Sequence, residues 1–407
     1  MFAVKSVRQN FAPPECLLGL LDVFRSMVND SIRKGLTNDT SSLRGLSLLA
    51  YSQLSRYDSS SYYKLCAISR AAGILAARKK SIRRGYASKT PYSVKPQLIS
   101  CYGFKIENRS LRIPVSRRKR FRIPLTNHTL AVISQTGVTV RSFTLTPHSL
   151  SLSIAREPPE IECIHTVGVD RNLRNLTAGN DEWVSCYDLS ETVRIVKTTG
   201  RIVASFKRDD ARLRRLVSSK YGERRRDRTS QILHNTTKTI VAKAVERREA
   251  IVLEDIRGIR SLYRRGNWQG RKHRDKMNAW SFSQAQKQIE YKARWTGLPV
   301  IRLSKRETRG SSLTCPRCGE RLQGDKRLER KLWCEKCRMV MDRDRVAAIN
   351  LARRGRVRFA RSRPPINEAQ GGAVEAVKGK PDAYGNPWSR CPEANLSTDK
   401  LAEPSDS

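Results

Sequence analysis

The chain has 407 residues, 80 of them Lys or Arg against 38 Asp or Glu, for a formal net charge of +42. A surplus of that size excludes an ordinary near-neutral enzyme and points to a polyanionic partner. The length predicts about two to three domains. Apolar runs recur along the chain although only 38% of residues are hydrophobic, which excludes wholesale disorder. Nothing approaches the roughly 18 uncharged apolar residues of a membrane span. The opening MFAVKSVRQNFAPPE also lacks the apolar segment of a secretory signal, so an intracellular protein with no membrane association is expected.

In chain order, residues 4–11 read as a strand, and the Pro13-Pro14 pair then opens a helical region that runs to about Tyr86. From Gln97 to Ile161 the apolar period changes to two. Phe104 and Ile106 answer Leu111, Ile113 and Val115 across a turn at residues 107–110. A second hairpin is predicted over 132–146 with its turn at Thr136-Gly137, and Leu150, Leu152 and Ile154 alternate with serines. Short strands at this spacing predict a small barrel or sandwich. Beyond Ile161 come three adjacent strands at 165–170, 175–179 and 183–189. A long basic helical region follows over 207–248, then a strand at 250–254, a helix near 285–295, a strand at 298–303 and a last helix at 345–354. This is a strand-first α/β layout with a cysteine module inserted before its final helix.

Cys315-Pro-Arg-Cys318-Gly and Cys334-Glu-Lys-Cys337 are separated by 15 residues, the spacing with which two tight turns aim four thiolates at one tetrahedral zinc. All four positions are cysteine, so no coordination site stays open for substrate and one structural Zn2+ is expected. The remaining cysteines are scattered singly, as expected of reduced thiols.

Asp170 ends the strand Val167-Gly168-Val169, Glu254 ends Ile251-Val252-Leu253, and Asp344 stands at the entrance to the last helix. Two strand ends and a helix start can converge on one acidic island able to hold divalent cations. Two such ions activate water and stabilise the leaving oxygen in phosphodiester hydrolysis. Asp255 and Asp342 are near-equivalent neighbours, and composition alone does not choose between members of each pair. Taken singly, each acid also reads as a helix cap, a turn residue or an exposed partner for an arginine.

Six blocks occur in order: HTVGVDRNLRNLTAGN, IVLEDIRGI, WSFSQAQKQIEYKARWTGLPV, SSLTCPRCG, WCEKC and DRDRVAAINLARRG. Together they resemble the TnpB family of transposon-encoded RNA-guided DNA endonucleases, relatives of the compact type V CRISPR effectors. The resemblance is dense over 165–355. It implies a multidomain α/β protein with a RuvC/RNase H-like nuclease domain (163–310 and 340–357) carrying an inserted four-cysteine zinc ribbon that binds target nucleic acid (311–339). A wedge-type β-barrel (1–12 and 95–162) with an inserted helical recognition lobe (13–94) would precede it, and a disordered tail (358–407) would follow. It also implies Asp170, Glu254 and Asp344 as catalytic acids on two Mg2+ ions, with Asp344 preferred to Asp342 because it directly precedes Arg345-Val346-Ala347-Ala348. A guide RNA from the transposon end, a double-stranded DNA target beside a short duplex motif, and a cytoplasmic, nucleoid-associated location follow from the same resemblance. Two positions depart from the family pattern: Asn172 stands where glycine is frequent, and Val346 where asparagine is common. A nuclease-inactive RNA-guided repressor and a type V CRISPR effector are the alternative functions.

The charge suits a guide–target hybrid, which a protein holds through its backbones and shape. Lys207, Arg208, Arg212, Arg215, Arg224, Arg225 and Arg226 form the densest run, expected along one helix face, with Arg118 and Arg120 as a second cluster. A solvated helix partly neutralised by Asp209, Asp210, Glu223 and Asp227 is the plainer reading. A third cluster flanks Trp268.

Overall fold

Pro13 and Pro14 stop the opening strand and release the chain into helix. The computed structural model describes residues 2–86, 89–116, 119–206, 210–256, 270, 273–274, 277, 281–324 and 330–362. Among the described residues the chain divides into two compact units, one built on 6–155 and the other on 2–5 with 156–362.

β1 (Ala3–Asn10), which belongs to the first unit from Ser6, leads into α1 (Glu15–Thr37), with Pro14 in extended backbone at its cap position. Leu17, Leu21, Phe24 and Met27 form a helical-period stripe on α1 that is buried. That stripe faces α3 (Ser61–Arg83), and the short α2 (Leu43–Ala50) packs on both helices. The strands that follow are β2 (Leu98–Ser100), β3 (Lys105–Glu107), β4 (Ser110–Pro114) and β5 (Arg120–Pro124). Asn108 and Arg109 take φ of 47° and 56° between the paired Glu107 and Ser110, the left-handed pair that a two-residue hairpin turn requires.

The hairpin expected over 132–146 is absent. Thr126 Oγ1 instead accepts from the backbone N–H of Thr129 at 3.3 Å and caps α4 (Asn127–Ile133), so only β6 (Val138–Thr146) remains extended. Its neighbour is β7 (Ser149–Arg156), where Leu150, Leu152 and Ile154 are buried as their alternation predicts. The expected closed barrel is likewise replaced by two open sheets, β1-β7-β6-β2 and β3-β4-β5. The helix removes one strand, and three-residue β2 ends the larger sheet, so no strand among the described residues returns to β1.

In the second unit, β8 (His165–Arg171), β9 (Asn175–Gly179) and β10 (Val184–Asp188) form an antiparallel meander. β11 (Glu249–Glu254) adds to β8 in parallel and β12 (Val300–Leu303) to β11, giving the order β10-β9-β8-β11-β12. α5 (Ser190–Ser205) and α6 (Ala211–Glu246) precede β11, and α7 (Phe282–Thr296) precedes β12. α5 has no counterpart in the periodicity reading, because Thr198, Thr199 and Gly200 in its middle depress helix propensity and only Ile195 is buried. Val167, Val169, Ile251 and Leu253 point to the α6 and α7 side, where they share a core with Ile240, Ala285 and Ile289.

The cysteine module adds β13 (Gln323–Gly324), β14 (Lys331–Cys334) and β15 (Met339–Asp342), and α8 (Arg343–Ser362) then lies on the other face of the main sheet. α8 continues five residues past the expected boundary at 357, and residues 363–407 lie outside those described. Its close approach depends on Gly168: a Cβ there would sit 2.1 Å from the Ala348 carbonyl oxygen and 2.6 Å from the Ala352 nitrogen. No helix of the described residues is long and apolar enough to cross a membrane.

Candidate active site and zinc module

Side chains alternate across a strand, so Asp170 shares the α8 face with Gly168 and Thr166, whose Oγ1 donates to the Ala352 carbonyl at 2.8 Å. Glu254 shares that face with Val252, which packs against Gly355 of α8. Asp344 enters the same region from the first turn of α8 and is 4% exposed. The structure thus brings together the three acids singled out in the sequence.

Burial raises the Asp170 carboxyl to about 6. The hydrogen bond from Asn172 opposes that rise, and the negative charges of Asp344 and Glu254 add to it. Asn172 Nδ2 donates to Asp170 Oδ2 at 2.7 Å and to Asn175 Oδ1 at 3.1 Å, while Asn175 Nδ2 donates to Asp344 Oδ2 at 3.1 Å. The residue that replaces the family's frequent glycine therefore begins a short amide chain between two of the acids. Thr308 Oγ1 donates to Glu254 Oε1 at 3.0 Å.

Asp342 has another task. Its Oδ1 accepts from the backbone N–H groups of Asp344 and Arg345, making it the cap of α8 and leaving Asp344 turned toward the other acids. Arg330 was invisible to the sequence reading. Its Nη2 donates to Asp344 Oδ1 and, at 3.1 Å, to Asn172 Oδ1, so a guanidinium occupies the ground where the like charges accumulate.

The acids offer hard oxygen donors, and the seated guanidinium of Arg330 shows that the site accepts positive charge, so the residues fit Mg2+. As a set they are more open than the cysteines, whose four sulfurs all lie within 4.8 Å of one another, the one such group among the described residues. Cys315 and Cys337 sulfurs are 3.8 Å apart and those of Cys318 and Cys334 3.4 Å. A tetrahedron with Zn–S bonds of about 2.3 Å has edges of about 3.8 Å, so this group fits zinc. Gly319 and Arg338, each following the second cysteine of its pair, take φ of 79° and 52°; the left-handed step that closes each turn is made once by glycine and once, at a steric cost, by arginine. Val346 explains the other departure from the family pattern. It is buried with Cys315, Leu322, Leu332 and Cys334 and packs the module onto α8. Asn350 Nδ2 reinforces the junction by donating to the Ser311 and Thr314 carbonyls at 2.7 Å each.

The basic residues meet a different arrangement from the one expected. Every buried residue of α6 lies at Thr229 or beyond, so residues 211–228 form an arm whose two leucines, Leu213 and Leu216, are also exposed. Helical spacing puts Arg212, Arg215 and Arg226 on one side of the arm and Arg224 and Arg225 on others, so the charge surrounds the helix rather than lining one face. Asp210 is consumed as its cap, accepting from the Leu213 N–H at 2.8 Å. Arg120 is exposed on β5. Lys207, Arg208, Arg118 and Trp268 lie outside the described residues, as does the cluster around Trp268 apart from Arg274.

An open mixed sheet with acids at two strand ends, an inserted four-cysteine module and a helix returning a third acid defines a class of α/β protein, and comparison with known proteins agrees. The family described as Cas12f1-like, TNB domain matches residues 282–351. The solved structure of a Cas12f1–sgRNA–target DNA complex superposes with a TM-score of 0.59 over 83% of this chain and 82% of that one, at 14% identity, and so shares the fold. A TnpB-like protein of Methanocaldococcus jannaschii is 31% identical over 204 residues, 46% of this chain and 68% of that protein. The chain belongs to the TnpB family.

Proposed function

We propose that the protein is an RNA-guided, Mg2+-dependent DNA endonuclease that cuts with a single RuvC-like site. The observation that carries this reading is the convergence of three carboxylates delivered by β8, β11 and α8: burial lifts Asp170 above the usual carboxylate range, and the negative charges of Asp344 and Glu254 add to that rise. Asp170, Glu254 and Asp344 would hold two Mg2+ ions, which when bound supply an activated water and neutralise charge on the scissile phosphate. The protein's own residues prepare that ground. Asn172 and Asn175 fix the carboxylate oxygens of Asp170 and Asp344, Thr308 fixes Glu254, and Arg330 supplies a positive charge beside the acids that an incoming phosphate would meet.

Guide RNA and duplex DNA as partners are supported by family membership and by the net charge of +42. The α6 arm is assigned to the nucleic-acid backbone and the zinc ribbon to target-nucleic-acid binding. Within Ser6–Ala155, α1–α3 are assigned as the recognition lobe and the two open sheets as the wedge-type part. The test is to sequence the RNA that copurifies with the protein, reconstitute the complex and challenge it with a matched plasmid library bearing randomised flanks. Mg2+-dependent cutting that disappears with Asp170→Ala, Glu254→Ala or Asp344→Ala is expected. Complexes that bind the target and never cut it in Mg2+ would establish a repressor instead.

A further inference from the structure

The parallel ladder between β8 and β11 ends one residue short of the acids: its last pair is Val169 with Leu253, while Asp170 continues pairing with Thr177 on β9 and Glu254 with Leu303 on β12. Where the two acid-bearing strands most need a fixed separation, no backbone pair joins them. Arg171 fills the gap. Alternation turns it to the α7 face, opposite Asp170, and from there its Nη2 donates to the main-chain carbonyl of Glu254.

The same guanidinium is braced from behind. Arg171 Nη1 donates to Gln286 Oε1 at 2.6 Å, and Gln286 Nε2 donates to Glu290 Oε1 at 2.7 Å. Glu290 is gripped by Arg302 through two bonds of 2.7 and 2.6 Å. Arg171 is 6% exposed, an expensive place for a cation, and the surrounding carboxylates of Glu254, Asp170 and Glu290 keep it charged there. Only a rigid fork reaches a strand carbonyl with one nitrogen and an amide on the next helix with the other, which a lysine cannot do.

We propose that Arg171 is a positioning residue that replaces the missing rung between β8 and β11 and sets the spacing of Asp170 and Glu254, and so the geometry of the metal site. The inference rests on the nuclease reading. It acts through the strand ends, because Arg171 points away from the substrate face.

The test uses the full ribonucleoprotein with Arg171→Met and Arg171→Lys, reading Mn2+ binding by electron paramagnetic resonance, taken as the difference from an Asp170→Asn complex, alongside the Mg2+ concentration for half-maximal cutting. Removing a cation should by simple electrostatics tighten metal binding. Loss of the rung predicts the reverse, an affinity about 10- to 100-fold weaker and a matching rise in the Mg2+ requirement, the range seen when outer-shell partners of a metal site are removed. Arg171→Lys should fall between, since an ammonium replaces one of the two bonds. If Arg171→Met fails to fold, Gln286→Leu, which removes only the brace, should give a several-fold shift in the same direction. Unchanged or tighter Mn2+ binding in Arg171→Met, or in Gln286→Leu where the first variant is unfolded, would overturn the assignment while leaving the nuclease reading intact. A wild-type complex without Asp170-dependent Mn2+ binding would overturn both.

Discussion

Asp342 and Asp344 stand two residues apart and divide two duties: Asp342 Oδ1 accepts the N–H groups of Asp344 and Arg345 at 3.0 Å each, while Asp344 Oδ2 accepts Asn175 Nδ2 from across the sheet. The first aspartate holds the helix so that the second can face the other acids. Asp344→Asn should abolish cutting with little change in melting temperature, because relief of like-charge crowding is offset by loss of the Arg330 ion pair. Asp342→Ala should cost about 1 kcal/mol of stability as a lost cap and leave cutting within a few-fold of wild type. Paired melts and cleavage rates decide the matter, and a reversed pattern would move the catalytic assignment to Asp342.

The pH dependence of the metal-free protein follows from Asp170. Its carboxyl is held at about 6 in the folded chain, above the ordinary value of 3.8, so between those two values the folded state binds more protons than the unfolded one. Stability from this group is therefore fully present below about 4 and is lost as pH rises through about 6, by on the order of 3 kcal/mol at most. Melts in a chelator from pH 4 to 7 should show that decline, Asp170→Asn should flatten it, and Mg2+ should restore the neutral-pH stability. Cutting has the opposite slope, falling as protons compete with Mg2+ for Asp170, at a pH below the metal-free value of about 6 because a bound cation favours the carboxylate. A wild-type profile that matched Asp170→Asn would mean that burial does not raise the Asp170 carboxyl.

The zinc module and the catalytic helix share a core through Val346, and Asn350 ties them by two further bonds. Metal loss should therefore be felt at Asp344. Cys334→Ser should lower zinc content below one ion per chain, lower the melting temperature and slow cutting, although no cysteine touches the acids. Metal analysis together with hydrogen exchange along 343–350 would read the effect. Protection of that segment unchanged by zinc removal would mean the two are independent.

How much of this was legible in the sequence depended on how local the physics was. The cysteine module was plain because a zinc turn is written in four consecutive residues, and the acids stood out because two end apolar strands and the third opens a helix. Arg330, Asn172 and Asn175 were not legible: their partners lie up to 169 residues away, and an asparagine in a turn looks the same whether it closes that turn or holds a catalytic carboxylate. The hairpin expected over 132–146 loses its first strand because Val132 fits either period and, with Ile133, ends a helix that the Thr126 cap starts. The basic arm was recognised as helical, but its wrapped charge appears only when Arg212 and Arg225 are set on opposite sides of a helix that has left the core behind.

Close packing of α8 on β8 makes Gly168 a sharp test of how the third acid is delivered. In Gly168→Ala the new methyl would meet the Ala348 carbonyl oxygen, a backbone atom that cannot rotate away, so the helix must move. A destabilisation of about 1–3 kcal/mol is expected from overpacking, with a larger loss in cutting rate because Asp344 rides on the displaced helix. Equal losses in the two measurements would mean the helix shifts without carrying the acid.

The arm of α6 carries its charge away from the core, and salt dependence measures what that charge does. Each phosphate neutralised by an arginine releases counterions, and the logarithm of affinity falls with the logarithm of salt in proportion to the number of such contacts. Replacing Arg212, Arg215 and Arg226 with glutamine removes three cations from one side of a helix segment with no buried residue, so folding should be unaffected. If that side grips a nucleic-acid backbone, the salt slope of guide binding or of target capture should fall by about 2 to 3, with weaker binding across all sequences alike. The same triple substitution on a merely solvated helix would leave both slopes where they were, and the work of the positive charge would then belong to other surfaces of the protein.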